Sequence, residues 1–222
     1  MTTTGDYLAQ AGLEARNGQI IDASIVTVPI QRNSREENRR IKAGDVPGDW
    51  DDNKARQKDT DARWTKQHGK SDFGDKNHID VDAAHKRIRD FETTAANVHD
   101  SQVFDDVLDP DNVDPPVWAD SAYRSEATEA ALSGPAARAT SASRARATNR
   151  SPRSNRRPTA SAPRPARVEH IFGFQQNSLG GTLIRTTGQA RAEIKIGCMS
   201  LTDNLMRYPQ LTNPKATAPP LA

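Results

Sequence analysis

Residues 134–166 use only seven amino-acid types: Gly, Pro, Ala, Arg, Thr, Ser and Asn. This stretch has no aliphatic side chain larger than Ala, no aromatic, no acid and no Lys. It has nothing to bury, so it cannot contribute to a packed core and is expected to be disordered. Any globular unit in the 222-residue chain must therefore be assembled from what lies on either side, about 18–133 and 167–208. Residues 1–17 (a short helix and loop) and the Pro-rich stretch 209–222 read as flanking segments. A mean hydropathy of −0.81 agrees with one modest core and long exposed stretches.

The charge is divided along the chain. Residues 1–133 carry 17 Lys+Arg against 26 Asp+Glu, and residues 134–222 carry 14 against 3. An acidic front and a basic back suit metal-binding carboxylates joined to a surface for a polyanion, or simply a solvated basic segment. No apolar run approaches the roughly 20 residues that span a bilayer, and no secretory signal is apparent at the N-terminus. The single cysteine, Cys198, leaves no disulfide framework and no cysteine-based zinc site, which fits a reduced cytoplasmic setting.

The elements follow from periodicity. Gly18–Val26 is a β-rich run whose Ile20, Ile21, Ile25 and Val26 suit burial on both faces. Asp22 lies inside it, a costly place for a carboxylate unless a cation or donor meets it. Residues 31–76 read as a polar excursion, with helix around Asn53–Lys66. A strand pair is expected at His78–Val81 and Arg87–Thr93. A short helix is expected at Ser101–Leu108, with Val103, Phe104, Val107 and Leu108 on one face. Val117–Tyr123 reads as a strand ending at Asp120, followed by a helix at Glu126–Leu132. Val168, Ile171 and Phe172 are at helical spacing. Ile194, Cys198, Leu201, Leu205 and Tyr208 mark a longer amphipathic helix that Pro209 should end. The order predicts an α/β fold of the RNase H-like kind, a mixed sheet with flanking helices interrupted by the disordered segment. In that arrangement the first and fourth strands are parallel neighbours, with Asp22 and Asp120 side by side.

Five blocks then carry a specific resemblance. They are Gly18-Gln-Ile-Ile-Asp22-Ala-Ser-Ile-Val, His68-Gly-Lys-Ser-Asp-Phe-Gly-Asp-Lys-Asn-His78, Val98-His-Asp-Ser-Gln102, Trp118-Ala-Asp-Ser-Ala-Tyr-Arg124 and Arg167-Val-Glu-His-Ile-Phe-Gly173. In this order they resemble the IS-five family of bacterial insertion-sequence transposases, within the IS-four-like superfamily, over about 7–133 and 167–219. The resemblance implies an Asp-Asp-Glu triad at Asp22, Asp120 and Glu169. These three would be both the catalytic residues and the ligands of two Mg²⁺ or Mn²⁺ ions, hard cations that oxygen ligands suit. It further implies DNA cleavage and strand transfer, with double-stranded transposon ends and target DNA as partners. It also implies a possible homo-oligomer and a cytoplasmic, nucleoid-associated site of action. Arg124 and Arg167 are the candidates for phosphate contacts. Other motifs fail on the residues. Gly69-Lys-Ser71 would need a glycine at position 64 to be a P-loop, and that residue is Trp64. His68, His78, His85, His99 and His170 show no HExxH or paired metal spacing, although His78 and His99 fall in the blocks.

This copy departs from the family pattern around Glu169. The family has Tyr-x2-Arg-x3-Glu-x6-Lys; these positions are Ala162, Pro165, Glu169 and Gln176 here. Asp72 and Asp75 stand where aromatic or histidine residues are expected. The family also places a helical DNA-binding region before its first Asp, so a truncated copy is expected. Residues 134–166 resemble translation in a wrong frame. Codons exist for Thr148–Ala162 whose third-nucleotide reading gives Gln-Pro-Leu-Thr-Glu-Val-Gln-Gln-Ala-Ala-Asn-Arg-Glu-Arg, a turn followed by a polar helix. Two expectations therefore stand. One is a transposase-derived chain that has lost its activity. The other is a non-catalytic DNA-binding protein that uses the Arg-rich stretch as a polycationic arm, or that inhibits an intact transposase in mixed oligomers.

Overall fold

The computed structural model of the chain describes residues 18–67, 69–109, 117–119, 123 and 168–212. The expected features at 1–17, 126–132 and 134–166 lie outside the described residues.

Five strands form one mixed sheet: β1 (Gln19–Thr27), β2 (Arg63–Gln67), β3 (Lys70–Asp82), β4 (Ile88–Ala95) and β5 (Val117–Ala119). β1 sits between β3, its antiparallel partner over Gln19↔Asp82 to Thr27↔Gly74, and β5, its parallel partner. The far edge of the long β3 is shared: β2 pairs with Lys70–Gly74 and β4 with Asp75–Val81. The handover falls at Gly74. A Cβ there would lie 2.1 Å from the Val26 carbonyl oxygen and 3.0 Å from Thr27 Cα. Both obstacles are backbone and cannot swing aside. Gly74→Ala is expected to destabilise the fold by roughly 3 kcal/mol through enforced separation of β1 and β3. Urea unfolding of the variant checks this, and an unchanged midpoint would refute it.

The connection from β1 to β2 carries two short helices, α1 (Arg35–Lys42) and α2 (Asp52–Gln57). Ser34 and Glu37 form a capping box at the start of α1. Glu37 also accepts from Trp50 Nε1 at 2.6 Å and Lys54 Nζ at 2.8 Å, which ties α1 to α2. After β4, a single 3₁₀ turn (Asp100–Gln102) leads into α3 (Phe104–Val107). Val103, Phe104 and Val107 are buried together as expected. α4 (Glu169–Asn177) and α5 (Gln189–Thr212) complete the described chain.

Strand alternation sorts the core by face. Ile20, Ile79, Val81 and Ile88 pack against Val168, Ile171 and Phe172 of the α4 region. Val26 and Val28 pack against Ile184 and against Ala192, Ile196 and Met199 of α5. On the opposite face, Ile21, Phe104, Val117 and Tyr123 form a third cluster. Helices therefore flank a mixed sheet on both sides.

Three expectations need correction. Helix around Asn53–Lys66 is wrong beyond Gln57: Arg63–Gln67 is strand, and β3 begins at Lys70 rather than near His78. These residues form a hairpin that is largely solvent-facing, so it is held by ladder hydrogen bonds and shows no apolar alternation. α5 does not stop at Pro209 but runs to Thr212. Proline there lies in the last turn, where its missing N–H leaves a single carbonyl, that of Leu205, without its helical donor. Finally, α5 buries the opposite face to the one expected: Ala192, Ile196, Met199, Ser200 and Asp203 are inside, and Ile194, Cys198, Leu201, Leu205 and Tyr208 are exposed.

The reason is how α5 docks. It lies along the outer edge of β4, where Asn204 both accepts from Ile88 N–H (2.9 Å) and donates to Ile88 C=O (2.8 Å). Gln189, fifteen residues earlier, donates to the Thr93 carbonyl at 2.6 Å. Between them, Gly197 meets the Phe91 ring so closely that a Cβ would be 2.9 Å from Cζ. Beside the apolar contacts of Ile196 and Met199, small and polar residues of α5 meet β4, because the helix caps a strand edge that would otherwise offer unpaired backbone groups.

Candidate active site

Asp22 lies in the middle of β1, between an antiparallel and a parallel neighbour. Its register partner on β3 is Ile79, which is fully buried under α4. Asp22 thus belongs to the face that α4 covers, along with Ile20 and Ser24. It is half-buried there, and its Oδ1 accepts from the Ala23 N–H at 2.8 Å.

α4 is held over this face at three levels. Ile171 and Phe172 insert into the cluster containing Ile20 and Ile79. Buried Gln175 links the sheet to α5, since Asn77 Nδ2 donates to its Oε1 (3.2 Å) and its Nε2 donates to Ser200 Oγ (3.3 Å). Gln176 Nε2 donates to Ser24 Oγ at 2.9 Å. Glu169 is the first residue of α4, two turns before Gln176, and is exposed. A carboxylate in the first turn suits the positive end of the helix. The preceding Val168 makes no side-chain cap, and the turn is closed by Ile171 N–H to Val168 C=O at 2.8 Å.

β5 runs parallel to β1 in the register Gln19↔Val117, Ile20↔Trp118 and Ile21↔Ala119. Trp118 packs against the Ile20 cluster on the α4 face. The strand expected to be β1's parallel neighbour is so placed. Asp120, the next residue in sequence, lies outside the described residues, as do Arg124, Arg167, Ala162 and Pro165. Among the described residues, no three His, Cys, Asp or Glu side chains come together as a metal site. The described structure thus brings the strand of Asp22 and the helix of Glu169 to one face of the sheet. It does not test the triad as a unit.

Sequence reasoning missed two supports. The Asn77–Gln175–Ser200 chain fixes the height of α4 above the sheet; its one signal was Asn77 inside a block, beside a pair of glutamines on an otherwise apolar helix. His78 is a buried brace on the opposite face. Its Nδ1 and Nε2 lie 3.0 Å from Tyr123 Oη and Thr94 Oγ1. Burial pushes its pKa down to about 4, with Asp100 opposing and Lys76 assisting. His78 is thus neutral near pH 7, a positioning residue away from the Asp22 face.

Two buried acids on β3 stand out. Both carboxylate oxygens of Asp75 are buried without a hydrogen-bond partner among the described residues, and the same holds for Asp80. Burial raises the pKa of each to about 7; Asp59 and Asp61 add to the effect at Asp75, while Arg89 opposes it at Asp80.

No described helix is long and apolar enough to cross a membrane. A family model described as transposase DDE domain matches residues 13–205. No solved structure matches the chain.

Proposed function

Because the chain belongs to the transposase DDE domain family, we propose that Asp22, Asp120 and Glu169 are the carboxylates of a site for cutting and joining DNA phosphodiesters at the ends of an insertion sequence, on an RNase H-like sheet. We further propose that this copy is catalytically impaired. The observation that carries the site is the β1–β5 register. Extended by one residue beyond Ile21↔Ala119, the same register would pair Asp22 with Asp120. Alternation would then turn both carboxylates to the face of Ile20 and Trp118, the face covered by the helix that starts with Glu169.

The donor set fits a hard divalent cation. It is all carboxylate, the hard oxygen ligands that suit Mg²⁺ or Mn²⁺, and Asp22 is half-buried on the face of Ile20 and Ile79. Mg²⁺ or Mn²⁺ held by Asp22, Asp120 and Glu169 would supply activation of the attacking oxygen and charge stabilisation at the leaving oxygen. The chain's own contribution is placement. β1 is rigid because it is bonded on both edges, and α4 is fixed by Phe172, Gln175 and Gln176. Glu169, at the exposed end of α4, is less firmly anchored than Asp22.

Three features support impairment. Pro165 replaces the arginine that the family carries one helical turn before Glu169, so a cation next to the phosphate is lost. Residues 134–166 supply no apolar side chain beyond Ala and Pro with which to anchor the approach to α4. Asp75, buried and without a hydrogen-bond partner among the described residues, stands where the family has an aromatic or histidine residue.

Metal binding tests the site apart from turnover. Mn²⁺ is expected to raise the melting temperature of the full chain, by mass action on the folded state. The Asp22→Asn and Asp120→Asn variants should each lose most of that increase. An equal shift in all three proteins would reject the assignment. The charge distribution favours one other reading, a basic DNA-binding arm without catalysis. The nucleotide sequence separates them: a family-like second frame across 134–166 marks decay, and its absence marks a selected arm.

A further inference from the structure

We propose that the cleft between α1 and the β2–β3 hairpin is a binding site for one unpaired nucleobase, stacked on Trp64, with its phosphate alongside. The cleft has a volume of about 430 Å³ and is open to solvent. Its aromatic part is Trp64 and Phe73, register partners across the hairpin, with ring centroids 5.4 Å apart and planes at 45°. Phe73 is tied to the core through the cluster of Val26, Ile184 and Ile196. Trp64 belongs to none of the three apolar clusters of the described residues and is 53% exposed. The core therefore does not account for the indole. A flat ligand stacked on it would be held against an anchored support.

The polar lining narrows the ligand. Gln31, Asn33, Asn38 and Asn97 contribute carboxamides, each a donor and an acceptor without charge. Gln31 Oε1 is buried with no hydrogen-bond partner among the described residues. Asp59, the one acid in the lining, is turned to backbone: it accepts from the N–H groups of Ala62 and Gly188, both at 2.9 Å. Arg63 donates to the carbonyls of Thr60 at 2.6 Å and Ile41 at 3.3 Å, which fixes β2 against the end of α1. Lys42 is exposed in the lining. An adjoining cavity of about 330 Å³ shares Gln31 and Asp59 and adds exposed Arg185.

An aliphatic ligand would bury these amides unpaired, and a bare anion would leave the indole in water. A nucleobase has a π-face for Trp64, donors and acceptors on its edge for the carboxamides, and a phosphate for Lys42 and Arg185. The base must be unpaired, because in a duplex its faces are stacked and its pairing edge is occupied. Two sources share this chemistry, a free mononucleotide and a single-stranded stretch of DNA. The second rests on the proposed cutting of insertion-sequence ends. Val28, whose N–H donates to the Phe73 carbonyl at 3.0 Å, is six residues along the chain from Asp22. At strand spacing that is roughly 20 Å, a few nucleotides from the cut.

The test is photo-cross-linking of the full chain to two probes, 5-iodo-dUMP and a short single-stranded DNA carrying one 5-iodouracil, with the linked residue located by mass spectrometry. Saturable links at Trp64 or Phe73 are expected. Trp64→Ala should raise the half-saturating concentration for linking to Phe73 about tenfold or more, the loss of one stacking contact. Trp64→Phe should stay near the unsubstituted value. Both variants should keep the melting temperature, because position 64 is exposed. Linking by the single strand alone assigns the base to DNA, and linking by the mononucleotide as well assigns a free nucleotide. Links that avoid Trp64 and Phe73 overturn the proposal. So does equal saturation of Trp64→Ala and the unsubstituted chain, or equal labelling by the same strand annealed into a duplex. A chain inactive in cleavage can pass this test and an active one can fail it, so its outcome is separate from that of the triad.

Discussion

Restoring the second reading frame across Thr148–Ala162, together with arginine at position 165, is expected to raise Mg²⁺-dependent cleavage of a labelled transposon-end duplex by two orders of magnitude or more over the unrepaired chain. Asp22 sits on a strand bonded along both edges. Glu169 opens α4, with no side-chain cap before it and a segment without anchoring side chains leading in. Misplacing a reacting group by about 1 Å can cost on the order of a hundredfold in rate. Losing a cation that stabilises developing phosphate charge costs a similar factor. The repaired chain should lose its gain when Asp120→Ala is added. Equal cleavage by repaired and unrepaired chains, abolished in both by Asp120→Ala, would refute impairment and leave the family assignment intact.

What the sequence made legible was local and apolar. Ile20, Ile21 and Val26 announced a buried strand, Val103 to Val107 a short helix, and Val168 to Phe172 the helix over the sheet, and each is where the pattern put it. The parallel pairing of β1 and β5 also followed, once the order of strands was read. The failures have one physical origin: backbone hydrogen bonding that leaves no apolar trace. β2 and the start of β3 form a hairpin from Arg63-Trp-Thr-Lys-Gln and Lys70-Ser-Asp because the ladder, not burial, holds them. α5 turns its most apolar stripe outward because its inner face is selected for small size at Gly197 and for amides at Gln189 and Asn204 that cap the β4 edge. A pattern of apolar residues identifies a helix well but not which of two faces meets its own domain. The candidate site was legible as three acids in order; the Gln175 and Gln176 contacts that set the height and pitch of α4 were not, since each depends on a partner far away in sequence.

Replacing Asp75 by Asn is expected to stabilise the fold at alkaline pH while leaving it nearly unchanged at acidic pH. Asp75 is fully buried on β3, and both oxygens lack a hydrogen-bond partner among the described residues. Burial, then the charges of Asp59 and Asp61, raise its pKa from the ordinary 3.8 to about 7. Those two acids are themselves engaged: Asp59 accepts from Ala62 and Gly188 N–H, and Asp61 accepts from Gln189 N–H. They therefore cannot readily move off. In the folded chain Asp75 keeps its proton up to about pH 7; in the unfolded chain it releases it near pH 4. The folded state binds more protons across that interval, so stability falls as pH rises from about 4 to about 7 and is level beyond. A shift of this size corresponds to about 4 kcal/mol. For a domain of this length that is on the order of 10 °C in Tm. Asp80, also raised to about 7, adds a fall of the same sign. His78, lowered to about 4, adds an opposite rise between about pH 4 and 6.5. The raw pH profile mixes all three, and the difference between Asp75→Asn and the unsubstituted chain isolates one. That difference should be near its minimum at pH 4, grow through pH 5 and 6, and level off above pH 7. Parallel melting curves for the two proteins from pH 4 to 8 would mean that Asp75 ionises normally, and its burial as an unpaired acid would then be wrong.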